Sequence, residues 1–258
     1  MILKLLSILP RKALSHLTGI IVHLEYPKWF ANFLKHTLIE KLKIDVSEAE
    51  NEVDTYNSFG SFFARRLKNG ARPLGNTPFV SPCDGVISEN GPIKGGQLTQ
   101  CKDIDYSLNK LLKNEKYSAE FIDGYFMTIY LAPFNYHRVH IPADAKIIDN
   151  YTIAGDLWPV NKASVTSIDE LFCINERNIS ICSTPAGQYA QIMVGATNVG
   201  SIELMPNIKN GYSVEKGEEY GIFNMGSTVI LLIDSNLRKS FRIEDIKPGR
   251  VMCLESFK

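Results

Sequence analysis

Hydrophobic residues near the start of the chain recur every three to four positions. This spacing is typical of amphipathic helices, and Pro27 stands where proline is favoured, near the start of the second one. The pattern predicts two helices that each have one apolar face and one basic polar face. The apolar positions are Ala13, Leu14, Leu17, Ile20, Ile21 and Leu24, then Trp29, Phe30, Phe33, Leu34, Leu38 and Leu42.

A further apolar helical stripe, formed by Phe59, Phe62, Phe63 and Leu67, follows before the pattern changes. From Pro78 onward, short β-rich runs are separated by Gly, Pro, Asn and Asp. Examples are Tyr125–Leu131, Ala145–Ile153, Ile179–Cys182, Tyr189–Val194, Val199–Leu204 and Val229–Ile233. Only Leu108–Leu112 is interpreted as a helix among them. We therefore expect an α+β fold in which a β-rich, mainly antiparallel body follows N-terminal amphipathic helices.

The charge distribution separates the N-terminal helices from the body. The 258 residues carry 28 Lys+Arg and 28 Asp+Glu, and this balance gives no argument for a nucleic-acid partner. Residues 1–43, however, contain seven Lys or Arg against two Asp or Glu. A basic, apolar N-terminus indicates a membrane surface, although these helices could instead pack on the protein's own core or on a second subunit. We predict a helical membrane-binding segment at 1–57 and a β-rich catalytic domain at 58–258.

Two further features limit the cellular context. The stretch Ala13–Leu24 is shorter than the roughly 20 apolar residues that a spanning helix needs, so we expect no membrane span. The five cysteines form no C-x-x-C pair, and the first residues lack a convincing secretory signal. Free thiols in a reducing compartment are therefore expected. The composition, 45% hydrophobic and 22% charged, excludes collagenous, disordered and disulfide-scaffold classes.

Two segments carry candidate acid–base residues. The first, Ser81-Pro82-Cys83-Asp84-Gly85, has the composition of a turn. The second, running from Leu131 to Pro142, contains His137 and His140, which could be metal ligands, acid–base groups or buried core imidazoles. Residues three apart on a strand point to opposite faces, and no further Cys or His completes a zinc set. We therefore expect no metal site.

A third segment, Phe223-Asn224-Met225-Gly226-Ser227-Thr228, leads into an apolar strand. It is either a simple turn or the place of a self-cleavage. In the second case the Ser227 hydroxyl attacks the carbonyl of Gly226, which has no side chain in the way. An Asp–His pair would deprotonate the hydroxyl, and Asp84 and His140 are candidates that sequence spacing alone does not place beside it.

In this order and separation, the three segments resemble the phosphatidylserine decarboxylases, a family of pyruvoyl-dependent membrane-lipid enzymes. The likeness runs from about residue 58 to residue 233. Supporting stretches are Phe62-Phe63-Ala64-Arg65 through Arg72-Pro73, Gly155-Asp156-Leu157, Val160-Asn161, Asn175-Glu176-Arg177 and Val194–Ile202.

The resemblance implies a proenzyme that cuts itself between Gly226 and Ser227, giving a β chain of residues 1–226 and an α chain of residues 227–258. Asp84, His140 and Ser227 would form the processing triad, with His140 as the base that Asp84 orients. Ser227 would become a pyruvoyl group, which forms a Schiff base with the substrate amine and accepts electrons as CO2 leaves. His137 would be the proton donor. Arg138 could hold the substrate carboxylate or phosphate, and the sequence does not choose between them.

Two positions depart from the family pattern. Met225 stands where leucine is commoner, a swap that conserves volume. Asn135 replaces an aspartate often found before the Tyr-His motif, which removes a negative charge near the histidines.

The resemblance implies decarboxylation of phosphatidylserine to phosphatidylethanolamine in phospholipid biosynthesis. The expected location is peripheral, on the cytoplasmic face of the cell membrane, with an anionic surface and a possible homodimer of the αβ unit as partners. Two alternatives stay open at this point. One is a non-catalytic β-domain that docks on membranes, and the other is a pyruvoyl decarboxylase of a soluble amino acid.

Overall fold

The computed structural model describes residues 11–102, 104–196, 202–224, 227–241 and 246–257, with side chains from residue 17 onward. Two longer helices come first and several helices of four to seven residues follow within these ranges. The helices are α1 (Arg11–Val22), α2 (Lys28–Leu42), α3 (Phe59–Phe63), α4 (Leu108–Leu112), α5 (Glu115–Phe121), α6 (Lys162–Val165), α7 (Leu171–Ile174) and α8 (Ser235–Phe241).

The body is built on an eight-stranded antiparallel sheet in the order β10-β6-β7-β8-β12-β4-β1-β13. A three-stranded sheet, β5-β11-β9, and a hairpin, β2-β3, complete it. The strands are β1 (Gly85–Pro92), β2 (Gln97–Cys101), β3 (Ile104–Ser107), β4 (Tyr125–Leu131), β5 (Arg138–His140), β6 (Ala145–Ile153), β7 (Arg177–Thr184), β8 (Gly187–Val194), β9 (Ile202–Leu204), β10 (Ser213–Val214), β11 (Glu219–Phe223), β12 (Ser227–Ile233) and β13 (Gly249–Val251).

Strand β12 lies at the centre of the large sheet, between β8 and β4, and every one of its residues is buried. Val229, Leu231 and Ile233 join the hydrophobic cluster on one face, whereas Ile230 and Leu232 join the cluster on the other. A strand covered on both faces needs apolar residues at successive positions, which explains the uninterrupted run in the sequence. Since side chains alternate, Ser227 points to the same face as Val229.

The predicted fold class is confirmed, with one correction within the body. The runs Tyr125–Leu131 and Ala145–Ile153 are strands with those bounds. The expectation that Leu108–Leu112 is the only helix there is wrong, because α5, α6, α7 and α8 are helices as well. These helices are too short for a clear apolar period. Local side-chain caps support two of them: Asn114 accepts from Tyr117 N at the start of α5, and Asn161 accepts from Ser164 N at the start of α6.

Helices α1 and α2 have one buried side and one exposed apolar side. Val22, Leu38 and Leu42 pack with the three phenylalanines of α3 in a separate cluster. Large apolar side chains on the other side are exposed, namely Leu17, Ile20, Ile21, Tyr26, Trp29 and Phe33. Lys35 departs from the predicted basic polar face, because it is buried and its Nζ donates to Tyr56 O at 2.7 Å. Among the described helices, none has the length and apolar character that crossing a membrane requires.

Candidate active site

Ser227 begins the central strand and is completely buried. It pairs with Leu131, the last residue of β4. Its Oγ has no hydrogen-bond partner among the described residues. Burial of an unpartnered hydroxyl costs about 1–3 kcal/mol, so a serine retained here needs an explanation beyond packing. Gly226, which lies on the other side of the predicted cleavage site, is outside the described residues, and so is Met225.

His137 is held near this point by both ends of its loop. The loop leaves β4 directly after Leu131, where Asn135 Oδ1 accepts from Ala132 N at 2.8 Å. At its other end, His137 O accepts from Phe223 N at 3.0 Å, four residues before Ser227. The loop carrying the histidine therefore starts opposite the serine and returns to the strand that leads into it.

The ring of His137 is completely buried and has a defined tautomer. Nδ1 donates to Asn135 O at 2.8 Å, so Nε2 carries the lone pair, and this nitrogen has no partner among the described residues. The ring centroid lies 4.1 Å from that of Phe63. Burial lowers the pKa of His137 to about 3, and the Arg65 charge acts in the same direction. The ring is therefore neutral, with its lone pair on Nε2.

Both ring nitrogens of His140 are occupied. Nδ1 donates to Gly217 O at 2.8 Å, and Nε2 accepts from the Tyr136 hydroxyl at 3.0 Å. Burial lowers the pKa of His140 as well, so this ring too is neutral. Its backbone nitrogen donates to Pro82 O at 2.7 Å, which brings the strand beside the segment that contains Asp84.

Asp84 is held by an arginine and a backbone amide. Arg72 donates to its two oxygens from Nε and Nη2 at 2.8 and 2.7 Å, and Cys253 N donates at 2.8 Å. Arg72 also binds both oxygens of Glu48, at 3.0 and 2.9 Å. Although burial opposes it, the hydrogen bonds that Arg72 donates to these two carboxylates raise its pKa. The guanidinium is thus a permanent charge shared by two acids.

The structure brings two of the predicted processing residues, Asp84 and His140, close together without joining their side chains. Asp84 lies close enough to His137 and His140 for its charge to act on both rings. The hydrogen bonds described for Asp84 and His140, however, lead to Arg72, Cys253, Gly217 and Tyr136, and Ser227 Oγ has none. The Asp84–His140–Ser227 triad stays a prediction, and its operation requires His140 Nε2 to exchange Tyr136 for Ser227.

Comparison with known proteins gives the same assignment as the motifs. The sequence profile of the family described as phosphatidylserine decarboxylase matches residues 59–253. The phosphatidylserine decarboxylase proenzyme of Anaeromyxobacter sp. (strain K) is 40% identical over 248 residues, covering 89% of this chain and 88% of the relative. That of Myxococcus xanthus is 38% identical over 248 residues, covering 90% and 89%. The proenzyme of Alcanivorax borkumensis is 37% identical over 263 residues, covering 94% and 89%.

This chain belongs to the phosphatidylserine decarboxylase family.

Membership of this family raises the question of a resident pyruvoyl group, and the residues fit one. A serine that is destined to be converted needs no lasting hydrogen-bond partner, and the buried Oγ of Ser227 has none among the described residues. The free Nε2 of His137 also meets the need for a proton acceptor beside a ketone. In the part of the chain that the structure describes, no three His, Cys, Asp or Glu side chains are placed to hold a metal ion.

Arg138, an open candidate for holding the substrate carboxylate or phosphate, is already engaged in ion pairing and hydrogen bonding within the protein. Its Nη1 forms an ion pair with Glu219 Oε2 at 2.8 Å, and its Nε donates to Ala64 O at 3.0 Å. These contacts link β5 to β11 and to the end of α3. Arg138 therefore ties together the elements around His137.

Sequence reasoning missed Arg65, Arg72 and Tyr136 as parts of this site. All three line a cavity of about 490 Å³ together with Asp84 and Asn135. Arg65 and Arg72 belong to the stretch that supported the family resemblance. The signal that could have singled out Arg65 is its charge, which follows closely on the apolar residues of α3.

Proposed function

We propose that this chain is a proenzyme that cuts itself between Gly226 and Ser227, converts Ser227 to a pyruvoyl group and then decarboxylates phosphatidylserine to phosphatidylethanolamine. The reaction takes place at the cytoplasmic face of a membrane, on which the chain docks through α1 and α2. The observation that carries this proposal is the fully buried Ser227, whose Oγ has no partner in the described structure.

The pyruvoyl group supplies a ketone that reacts with the substrate amine and takes up the electrons left when CO2 departs. The chain supplies the proton transfers. The lone pair on Nε2 of His137 can accept a proton from the substrate, and the low pKa of the buried ring makes the protonated form a strong acid that gives the proton up again readily. The same nitrogen then returns that proton to the carbon that has lost CO2. Its Nδ1–H bond to Asn135 O fixes the ring orientation throughout.

Exclusion of water supports the same reaction. Ser227 and His137 are both completely buried, and Phe63 covers the histidine ring. A carboxylate loses its concentrated charge as CO2 forms, so a site with little water favours the transition state over the ground state. The burial of this centre is therefore suited to decarboxylation.

The exposed apolar side chains on α1 and α2 support docking on a membrane. Trp29 is 73% exposed and Phe33 63%, both on α2, and Tyr26, just before α2, is 67% exposed; the basic residues of the N-terminus lie in the same segment. Aromatic side chains beside positive charges suit the headgroup layer of an anionic bilayer. A substrate that is itself a lipid would then meet the enzyme at the surface.

The function is tested by supplying purified chain with vesicles that contain phosphatidylserine and measuring phosphatidylethanolamine and CO2. We expect equal amounts of both products and none from free serine, because the docked enzyme acts on the lipid. Product from free serine at a comparable rate would favour the decarboxylase of a soluble amino acid. A folded chain that binds vesicles but forms no product would favour the non-catalytic membrane domain.

Docking is tested by substitution of exposed residues, which leaves the core intact. The double variant Trp29→Ser/Phe33→Ser should float less with vesicles of phosphatidylglycerol and phosphatidylcholine, by about tenfold or more for the loss of two aromatic side chains. The matched control is Ile122→Ser/Ile148→Ser, which removes exposed apolar side chains from the body. Equal flotation of the two variants would contradict docking through α2.

A further inference from the structure

Arg65 is a buried cation with unused donors. Its side chain is only 3% exposed, and its Nε and Nη1 are buried without a hydrogen-bond partner in the described structure. The guanidinium carbon lies 4.8 Å from the centroid of the Phe62 ring, a contact that covers one face of the group but satisfies none of its N–H donors. Burial lowers the pKa of Arg65. A buried arginine with unsatisfied donors lowers the stability of the fold unless a ligand accepts its hydrogen bonds.

Two arginines near Arg65 are already committed. Arg72 binds Asp84 and Glu48, and Arg138 binds Glu219. The charges of Asp84 and Glu48 act on Arg65 at longer range, but neither carboxylate accepts a hydrogen bond from its Nε or Nη1. Lys43 and Arg250 also line the cavity, but both are exposed to solvent. Of the three arginines, Arg65 is therefore the buried one that has donors to offer to an incoming anion.

The position of Arg65 connects the cavity to the reacting residues. Arg65 lines the cavity of about 490 Å³. Asn135 and Tyr136, which directly precede His137 in the chain, line the same cavity. Its charge acts on the His137 ring, and its carbonyl accepts from Arg138 Nε at 3.4 Å. An anionic group bound at Arg65 would thus lie close to the ring of His137.

We propose that Arg65 binds the phosphodiester of the lipid headgroup and so sets the distance between the substrate's phosphate and its reacting carbon. The inference rests on the proposed function and adds the residue that selects a phospholipid over a free amino acid. The observation behind this proposal is that Nε and Nη1 of Arg65 are buried beside the cavity without a hydrogen-bond partner in the described structure.

The chemistry distinguishes the phosphodiester from the substrate's other anion, the carboxylate. A carboxylate loses its charge in the reaction, so an arginine bound to it would stabilise the ground state more than the transition state and slow the reaction. The phosphodiester keeps its charge from binding to product release. A strong bond to it holds the substrate equally at every stage, without raising the barrier.

The test compares Arg65→Gln with Arg66→Gln, using the self-cleaved enzymes and short-chain dihexanoylphosphatidylserine. Arg66 is a matched control, because it is the next residue, carries the same charge, is 58% exposed and makes only a 3.5 Å contact with Glu219. We expect Arg65→Gln to raise KM by about 10- to 100-fold with kcat nearly unchanged, since it removes bonds made equally in ground and transition states. Arg66→Gln should behave as the unchanged enzyme.

A competition measurement separates the two anions. Dihexanoylphosphatidylglycerol has the phosphodiester but neither amine nor carboxylate, whereas hexanoate has only a carboxylate. We expect the phosphatidylglycerol to compete with substrate in the unchanged enzyme and in Arg66→Gln, and to lose that competition in Arg65→Gln. Competition by hexanoate that disappears in Arg65→Gln would instead assign Arg65 to the carboxylate and overturn the proposal.

Other outcomes are equally decisive. An unchanged KM in Arg65→Gln, or a loss confined to kcat, would overturn the proposal. If Arg65→Gln does not cut itself, Arg65→Lys keeps the charge, and a severalfold increase in its KM is then expected because the planar pair of donors is lost. Failure of both variants to self-cleave would assign Arg65 to processing and overturn its substrate role. Failure of the proposed function is separate, because the unchanged enzyme would then not act on the lipid.

Discussion

Two regions of this protein bury an arginine, and they treat it in opposite ways. Arg177, at the start of β7, is completely buried and donates to the carbonyls of Leu111, Lys110, Cys173 and Asn175 at 2.7–2.8 Å. Arg65, beside the reaction centre, is buried almost as fully and leaves two nitrogens unpartnered in the described structure. Burial lowers the pKa of both. The difference between them lies in what satisfies their donors.

The surrounding groups follow the same division. Next to Arg177, the amide of Asn175 donates to Trp158 O and Gly195 O and accepts from Trp158 N, so this anchor is complete. Close to Arg65, His137 Nε2 also lacks a partner among the described residues, as does Ser227 Oγ at the start of β12. Buried polar groups in proteins are nearly always hydrogen-bonded, so a cluster of exceptions indicates groups kept for reaction or binding. The first region stabilises the fold, and the second is prepared for chemistry.

The largest effect is expected from Ser227→Ala. The chain should fold and stay uncut and inactive, because the variant lacks the hydroxyl that attacks Gly226. Gel electrophoresis of the denatured protein measures the cleavage. Ser180→Ala is the control, since it also removes a buried hydroxyl, but one that is hydrogen-bonded to Tyr220 and Asn150. It should cost stability and leave cleavage intact. A cleaved product from Ser227→Ala would refute the assignment of the cleavage site.

His137→Gln should separate the two reactions of the centre. We expect normal self-cleavage and a decarboxylation rate lower by about 10²- to 10⁴-fold, the usual contribution of a positioned acid–base group. Single-turnover rates on dihexanoylphosphatidylserine measure it. His36→Gln is the control, because His36 is exposed and paired with Asp54. Decarboxylation by His137→Gln at the unchanged rate would remove His137 from the mechanism.

Stability measurements address the two arginines directly. In the uncut Ser227→Ala background, Arg177→Met should lower the free energy of unfolding by about 3 kcal/mol or more, because several buried carbonyls lose their donor. Arg65→Met should change it by less than about 1 kcal/mol or raise it, because an unpaired buried cation is replaced by an apolar side chain of similar length. Urea unfolding measures both. Equal losses for the two variants would erase the distinction between anchor and site.

The last prediction concerns acid stability. The pKa of His137 is about 3 in the folded chain, below the ordinary value of 6.5 that it regains on unfolding. Between these values the unfolded chain binds a proton that the folded chain does not, so stability falls as the pH drops from about 6.5 to about 3. In the Ser227→Ala background, His137→Gln should make this fall shallower, whereas His36→Gln should not. Identical pH profiles for both would contradict the neutral, buried ring.

The sequence predicts the large sheet better than the reaction centre, for physical reasons. Strands such as β4 and β6 are long and rich in β-branched and aromatic residues, so local pattern alone defines them. Strands β5, β10 and β13 have only two or three residues, and their pairing depends on distant parts of the chain. The short helices α5 to α8 are not predicted from the sequence, because they too are short and depend on contacts with distant parts of the chain.

The site shows the same limit more sharply. Motifs singled out His137, His140, Asp84 and Ser227, and the fold brings Asp84 close to both histidines. A sequence motif does not show whether a side-chain nitrogen has a hydrogen-bond partner. The ion pair of Arg138 with Glu219 and the unpartnered donors of Arg65 in the described structure are therefore visible only in the tertiary structure. The same holds for Tyr136, which occupies His140 Nε2.

The central claim is that Ser227 is consumed in making the reactive group, and the mass of the denatured, purified chain tests it most directly. The account predicts two species that correspond to residues 1–226 and 227–258, with the smaller one lighter by one ammonia than simple hydrolysis would give. A single species of 29.0 kDa, from protein shown to be folded, would contradict it.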